Sequence, residues 1–281
     1  MKVFILMSGD NKRFTDNDYT THKAMLPIFV DNCVNTLDHM LLELEQMNNF
    51  IFIDEINIVL RPASTITLKH EQNKSIINFI KEHRLSNKIN IIYDSPLKAG
   101  ALYSFYNGLI AVENNIKKDS PIMIVNCDQI CTFDYPALYN NITKFKSLPN
   151  IGGIIIHCDK ELVDEKYHNL FGYSVVDSNN KITHIQEKDS KNTNYLHTGY
   201  YIIKNFNIAI NLCASVFNNN ARLSYLDSNK NTINTNEFFI SQIFKRMIYE
   251  GLNIIADNSV IEYTSIGTPE LYQNHIINHF K

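Results

Sequence analysis

Four short, almost wholly apolar runs most limit what this chain can fold into. They are Val3-Phe4-Ile5-Leu6-Met7, Ile56-Asn57-Ile58-Val59-Leu60, Ile89-Asn90-Ile91-Ile92-Tyr93 and Ile122-Met123-Ile124-Val125. Runs this short and this apolar read as strands covered on both faces. Between them the apolar residues fall at helical spacing: Leu37, Met40, Leu41, Leu44 and Met47, then Ile76, Ile77, Phe79 and Ile80 over 74–83, then a segment from Gly100 to Asn114. Strands alternating with helices predict a parallel sheet built from right-handed crossovers. Asparagine, isoleucine and lysine crowd the whole sequence, a bias that carries no functional information.

After Asn150 the pattern changes. Strands are predicted over 151–157, 171–176, 181–187 and 196–203, and helices over 205–217 and 236–250. Short strands at 252–256 and 260–264 precede a last helix from about Pro269. With no internal repeat or low-complexity linker, 281 residues at 44% hydrophobic content read as one domain over 1–281. It has two lobes, 1–150 and 151–281.

Charge and cysteine usage exclude several classes. The net charge is −3 and the basic residues are scattered, so nothing argues for a nucleic-acid or membrane surface. Cys33, Cys127, Cys131, Cys158 and Cys213 fit no zinc spacing and read as reduced core thiols, as in the cytoplasm. No signal peptide or membrane span is expected. His275 and His279, spaced i, i+4, have no third ligand in view and read as a polar helix face.

Chemistry concentrates where the apolar runs end. Ser8-Gly9 after the first run lets backbone N–H groups approach an anion. Arg13 can fork onto phosphate oxygens and Lys23 can add a point charge. Asp128 follows the run 122–125, where open α/β sheets bind ligands, and is a candidate Mg²⁺ anchor. Small residues at Gly100-Ala101 would let a nucleotide come close to a helix start.

These motifs, in this order, resemble the sugar-nucleotidyltransferases, or nucleoside-diphosphate-sugar pyrophosphorylases, and in particular a capsule-type branch. Leu6-Met7-Ser8-Gly9-Asp10-Asn11-Lys12-Arg13-Phe14 and His22-Lys23-Ala24-Met25-Leu26-Pro27 are similar to the family's opening motifs. Asn11 stands for its second Gly and His22 for a Pro. Leu97-Lys98-Ala99-Gly100-Ala101-Leu102 and Asn126-Cys127-Asp128-Gln129 resemble its base-proximal and metal segments. Phe171-Gly172, Glu187-Lys188-Asp189 and His197-Thr198-Gly199 resemble its acceptor segments, with Asp189 for Pro and His197 for Asn. Asn236-Glu237-Phe238-Phe239 is similar to a capsule-type segment, where Glu237 either faces substrate or caps a helix. Tyr263-Thr264-Ser265-Ile266-Gly267-Thr268-Pro269-Glu270 matches a late turn, but Ser265 stands where relatives carry a second metal-binding residue. Asp257 and Glu262 are candidate replacements.

The resemblance implies the nucleotide-diphospho-sugar transferase fold, a Rossmann-like mixed, mostly parallel sheet flanked by helices. It implies a nucleotide-binding lobe over 1–150 and an acceptor lobe over 151–281. Met7, Ser8, Gly9, Asn11, Gly100 and Ala101 would bind nucleotide. Gly172, Glu187, Thr198 and Gly199 would bind the sugar. Arg13, Lys23, Asp128 and Lys188 would be catalytic, with Mg²⁺ on Asp128. The implied reaction joins an NTP (UTP, dTTP or CTP) to a sugar 1-phosphate, giving an NDP-sugar and pyrophosphate for glycan precursors. Phosphorylated non-sugar alcohols or amides are further acceptors, and a homo-oligomer stays open. Two alternatives are a glycosyltransferase on the same fold and a weakened, regulatory nucleotide- or sugar-binding paralogue.

Overall fold

Strand β1 (Lys2–Met7) is buried along its length, as its unbroken apolar run requires. It is followed by a short helix, α1 (Lys12–Thr15), a 3-10 turn over Lys23–Met25, and helix α2 (Thr36–Asn48). The Asn35 side chain caps α2 by accepting from Asp38 N at 2.9 Å. Then come β2 (Glu55–Leu60), α3 (Leu68–Glu82), β3 (Ile89–Tyr93), α4 (Ala101–Val112) and β4 (Ile122–Asn126). The computed structural model describes residues 1–30, 32–63, 68–97, 99–188, 193, 195–219, 224–226, 232–234 and 237–279. For 146, 224–226 and 232–234 only the backbone is described. Lys98, Asp189 and Asn236, named above, lie outside the described residues.

The remaining elements are β5 (Gln129–Phe133), α5 (Tyr135–Ser147), β6 (Ile151–Asp159), β7 (Gly172–Val176), β8 (Ile182–Glu187) and β9 (Tyr195–Ile203). Helix α6 (Phe206–Asn218), hairpin β10 (Ser224–Leu226) and β11 (Thr232–Asn234), α7 (Ser241–Tyr249), β12 (Asn253–Asp257), β13 (Val260–Ser265) and α8 (Pro269–His279) complete the chain. The main sheet runs β12-β6-β9-β4-β1-β2-β3, with β7 and β8 added beside β9. Strands β3, β2, β1 and β4 are mutually parallel, and β12 is parallel to β6. Strand β9 is antiparallel to both β4 and β6. The sheet is therefore mixed around a parallel core, with helices on its faces. The parallel core predicted from the alternation of strand and helix is the set β3, β2, β1 and β4, and β9, from the second half, enters it antiparallel. A strand's direction depends on how the chain returns to it, which local periodicity does not encode.

Helices α1 and α5 and strands β5, β10 and β11 lie where the sequence pattern predicts no element. Strand β5 pairs with β13 as a ribbon off the main sheet, and α5 starts at Asp134, whose side chain accepts from Ala137 N at 2.9 Å. The Asp cap with Pro136 in the first turn is a legible start signal in hindsight. Helix α3 begins earlier than predicted, and α4 ends in a 3-10 turn at Glu113–Asn115. All five cysteines are free and buried. No helix among the described residues is long and apolar enough to cross a membrane.

The topology positions a site. The neighbours of β1 are β2 on one side and β4 on the other, so the strand order reverses at β1/β4. Ligands of open α/β sheets bind at the carboxyl ends of strands at such a point. Residues 8–13 leave β1 there, and Asp128 leaves β4.

Candidate active site

The loop after β1 is held from behind by two cations. Arg61 Nε donates to Ser8 O at 2.7 Å, and Lys69 Nζ, on α3, donates to Gly9 O at 3.0 Å. A trans peptide is planar with its N–H opposite its C=O, so the N–H groups of Gly9 and Asp10 point away from these cations. Asn11 adopts the left-handed conformation at φ 59°, which Asn tolerates better than most residues. Its side chain also ties the loop together: Nδ2 donates to Thr21 O at 3.0 Å, and Oδ1 accepts from Lys23 N at 3.2 Å. Asn11 thus does what a Gly could not. His22 is buried and its Nδ1 accepts from Ala24 N at 3.2 Å, capping the turn that carries Lys23. Burial, then Lys69 and Lys23, hold the His22 pKa well below the usual value, so it caps as a neutral ring.

Two nucleotide candidates turn their side chains inward. The Met7 side chain is fully buried in the core and only its backbone borders the loop. The Ser8 hydroxyl donates to Ser104 Oγ at 2.5 Å, and Ser104 in turn donates to Asp94 Oδ2 at 2.5 Å. Ser8 thereby anchors the loop to α4. Gly9 is open, with nothing within 4 Å of where a Cβ would stand.

At the switch point Lys23 Nζ lies 2.6 Å from Asp128 Oδ2, both side chains partly exposed. Burial pulls the Lys23 pKa down, but Asp128 and Cys127 more than offset it, so the ammonium is held above its usual value. Ile266 N donates to Asp128 O at 2.9 Å, and Ser265 pairs with Gln129 across β13 and β5. A Cβ on Gly267 would come 3.1 Å from Asp128 Oδ2. The late turn thus reaches the strand-end acid, as its motif implied. Arg13, Asp128, Glu237 and Ala101 border both halves of one cleft. The loop half encloses about 480 Å³ and the other about 270 Å³, sizes suited to small molecules.

Gly100 borders the loop half of the cleft and also lets the chain cross closely behind it. Its φ is +91°, and a Cβ there would strike Phe238 O at 2.5 Å and Phe238 N at 2.7 Å. Phe238 N donates to Ala99 O at 2.7 Å and Phe238 O accepts from Leu102 N at 3.0 Å. The side of Gly100 where a side chain would stand is therefore taken by the chain itself. The same crossing brings Glu237 into the cleft, and Glu237 does not cap α7, which starts at Ser241 after Ile240.

The smaller half lies over β7, β8 and β9. Alternation along β9 turns His197, Gly199 and Tyr201 toward it. Thr198 is a correction. It is fully buried on the opposite face, and its hydroxyl donates to Ile156 O at 2.8 Å. Gly172 and Gly199 do not leave empty room for a ring. A Cβ on Gly172 would meet His197 Nδ1 at 2.8 Å and Glu187 Oε1 at 3.1 Å. One on Gly199, at φ +84°, would meet Gln129 Cδ at 2.7 Å. Each glycine admits a polar side chain that then lines the cleft. Burial raises the Glu187 pKa, and Ser241, Lys245 and Lys188 reverse that only in part. Lys188 follows β8 with a left-handed backbone at φ 57°, its N–H donating to Phe171 O at 2.7 Å. Its Nζ stands 5.8 Å from the Phe239 ring centre. A strained non-glycine residue here is typical of a ligand clamp.

Asp257 and Glu262 do not replace a metal ligand at Ser265. Asp257 is fully buried, accepting from Asn141 Nδ2 at 2.6 Å and Ser259 N at 2.9 Å, and Glu262 is exposed on β13 away from the cleft. Among the described residues no group of three or more His, Cys, Asp or Glu could hold a metal. A lone carboxylate does not exclude Mg²⁺, which is commonly held by one or two carboxylates together with phosphates and water. His279 stacks on Phe29 with ring centres 4.7 Å apart.

Three comparisons bear on this site. A comparison with curated proteins finds no match. The fold is similar to a nucleoside-diphosphate-sugar pyrophosphorylase from Vibrio cholerae, at 15% identity and TM-score 0.69 over 99% of this chain and 100% of that one. It is similar to a Bacillus anthracis protein assigned as a glucose-1-phosphate thymidylyltransferase and solved with sucrose (20%, TM-score 0.68, 99% and 94%). It is also similar to a UDP-glucose pyrophosphorylase solved with UDP-glucose (17%, TM-score 0.65, 99% and 98%). These likenesses establish the nucleotide-diphospho-sugar transferase fold. The nucleotidyl transferase family model matches residues 2–258, and the chain belongs to that family.

Proposed function

We propose that this protein joins an NTP to a sugar 1-phosphate, releasing pyrophosphate and forming an NDP-sugar for glycan precursors. The observation that carries the reading is the Lys23–Asp128 pair at 2.6 Å, at the strand-order reversal and in one cleft with Arg13. The N–H groups of the loop, with Arg13 and Lys23, form an electropositive cradle for a triphosphate. The acceptor phosphate is largely dianionic near neutral pH and needs no protein nucleophile. Its oxygen forms a bond to the α-phosphorus in line, the bond to the bridging oxygen breaks, and pyrophosphate leaves with that electron pair. Lys23 stabilises charge at the α-phosphate, Arg13 holds the leaving phosphates, and Lys188 orients the acceptor phosphate. Catalysis is then positioning and charge stabilisation. Asp128, with Ser265 beside it, would hold Mg²⁺, which when bound would neutralise phosphate charge. The enzyme would work in the cytoplasm.

The glycosyltransferase alternative leaves the Arg13 and Lys23 cradle without a purpose. The departures that favour a weakened paralogue are Asn11, His22 and Ser265. Asn11 and His22 each carry hydrogen bonds that build the loop, which supports a working cradle. The test is pyrophosphate release with Mg²⁺ across UTP, dTTP and CTP against a panel of sugar 1-phosphates. Release with one pair, abolished in Asp128→Ala, is expected. NTP binding without release from any pair would overturn the reading in favour of a regulatory paralogue.

A further inference from the structure

A chain of hydroxyls ties the loop after β1 to a carboxylate outside the cleft. The Ser8 hydroxyl donates to Ser104 Oγ, in the first turn of α4, and Ser104 donates to Asp94 Oδ2, each at 2.5 Å. Asp94 stands just past β3 and is buried. Ser8 and Ser104 border the loop half of the cleft, whereas Asp94 borders neither half. Its second oxygen, Oδ1, accepts from Ser95 N at 2.7 Å and from Asn107 Nδ2 at 2.7 Å. The transfer reaction itself gives Asp94 no task.

Chemistry sets the direction of this chain. A carboxylate only accepts, so Ser104 directs its single proton at Asp94, and its oxygen is left to accept from Ser8. The other acceptor in reach of Ser104 Oγ, Gly100 O, is farther away at 3.3 Å. The Ser8 proton is thereby turned inward. The Ser8 carbonyl is held as well, by Arg61 Nε at 2.7 Å, and Arg61 Nη1 donates to Pro96 O at 3.3 Å. That carbonyl shares one planar peptide with the Gly9 N–H, so whatever fixes Ser8 aims that donor. Hydrogen bonds to a charged group are roughly twice as strong as neutral ones, and linked bonds polarise one another. A donor fixed before its ligand arrives needs no reorganisation on binding.

We propose that Asp94 is a positioning residue for the nucleotide: through Ser104 and Ser8 it fixes the peptide whose N–H meets the triphosphate. The proposal takes the identity of that ligand from the nucleotidyl-transfer reading. Asp94 touches no substrate and acts by directing two protons. An amide of the same shape disturbs both. In Asp94→Asn the amide oxygen serves Ser95 N and Asn107 Nδ2, which turns the amide nitrogen toward Ser104. Ser104 then needs a new acceptor, either Ser8 Oγ or the distant Gly100 O. Its hold on Ser8 is reversed in the first case and weakened in the second.

The test is a double-mutant cycle on the full chain: wild type, Asp94→Asn, Ser8→Ala and the double variant, each checked for folding by its thermal unfolding midpoint. Calorimetric titration with UTP, dTTP and CTP in Mg²⁺ reads the Kd of the preferred NTP. Asp94→Asn should weaken that binding about tenfold beside Ser8, the size of one lost hydrogen bond. In the Ser8→Ala background the same change should cost less than about twofold, because the chain of hydroxyls is already cut. In Asp94→Asn, KM for the sugar 1-phosphate should stay within about twofold of the wild type, since only nucleotide binding is touched. An equal loss in both backgrounds would mean that Asp94 merely braces Ser95 and α4, and overturns the proposal; so does no loss in either. If Asp94→Asn does not fold, Ser104→Ala takes its place in the cycle, with the same outcomes deciding. If no acceptor yields pyrophosphate while an NTP binds, the transfer reading has failed and the cycle still decides the role of Asp94. If the wild type binds none of the three nucleotides, the proposal is overturned.

Discussion

Single residues in this site combine backbone and side-chain duties. Asn11 supplies a left-handed turn and, through one amide, fixes both Thr21 and Lys23. Replacing it separates the two roles. Asn11→Gly keeps the backbone preference and loses the tie, whereas Asn11→Ala loses both. Asn11→Ala should be less stable than Asn11→Gly by about 1–2 kcal/mol, the cost of a left-handed residue with a Cβ; urea unfolding of the two variants reads the difference directly. Lys23 is the sharper case, because its ammonium pairs with Asp128 and is the group proposed to meet phosphate. Lys23→Met and Arg13→Ala should each reduce kcat/KM for pyrophosphate release by about 10²–10³-fold, as for loss of one electrostatic donor. An unchanged rate in either would remove that residue from the cradle.

Helix α3 matters at the next scale because it carries Lys69 to the back of the loop. Burial first, partly offset by Cys127 and Asp10, lowers the Lys69 pKa to about 8. Between about pH 8 and the ordinary 10.5 the unfolded chain binds more protons at this residue than the folded one. Stability attributable to Lys69 therefore rises across that window, since charging a buried amine is a burden at lower pH. Function moves the other way. Lys69 loses its charge above about pH 8 while Lys23, held above its usual value, keeps its own. KM for the NTP should climb above pH 8 in the wild type. Lys69→Met should show a raised KM already at pH 7 and no further climb, which steady-state kinetics from pH 7 to 9.5 would read.

Across the whole molecule, the cleft joins strands distant in sequence. Its walls come from the loop after β1, the end of β4, the β7–β8–β9 region and the turn after β13. The β9 strand of the second half hydrogen-bonds directly to β4 of the first. A ligand spanning the cleft therefore binds only when both halves of the sheet are formed, and it should stabilise the molecule against global unfolding. At 100 times its Kd the preferred NTP with Mg²⁺ should add about 2.7 kcal/mol. Urea denaturation with and without UTP, dTTP or CTP measures this, and the gain should shrink in Lys23→Met. A nucleotide that shifts the midpoint equally in both would bind elsewhere.

The sequence by itself determined the parallel core, because apolar runs and helical spacing are local signals. It also placed Arg13 on the segment that leaves β1 and Asp128 just past β4, because strand ends in such a sheet are where ligands meet it. Only the tertiary structure decided what depends on contact between distant residues. Lys23 and Asp128 are 105 positions apart. The reversal of β9, the turning of Thr198 away from the cleft, the filling of the space at Gly100 by Phe238 and the burial of Asp257 are all of this kind. The motif named Thr198 and Gly199 together, but strand alternation sends neighbouring side chains to opposite faces. Register against β4 and β6 then chose which face holds the cleft, and that choice made His197 and Gln129, rather than Thr198, its polar wall.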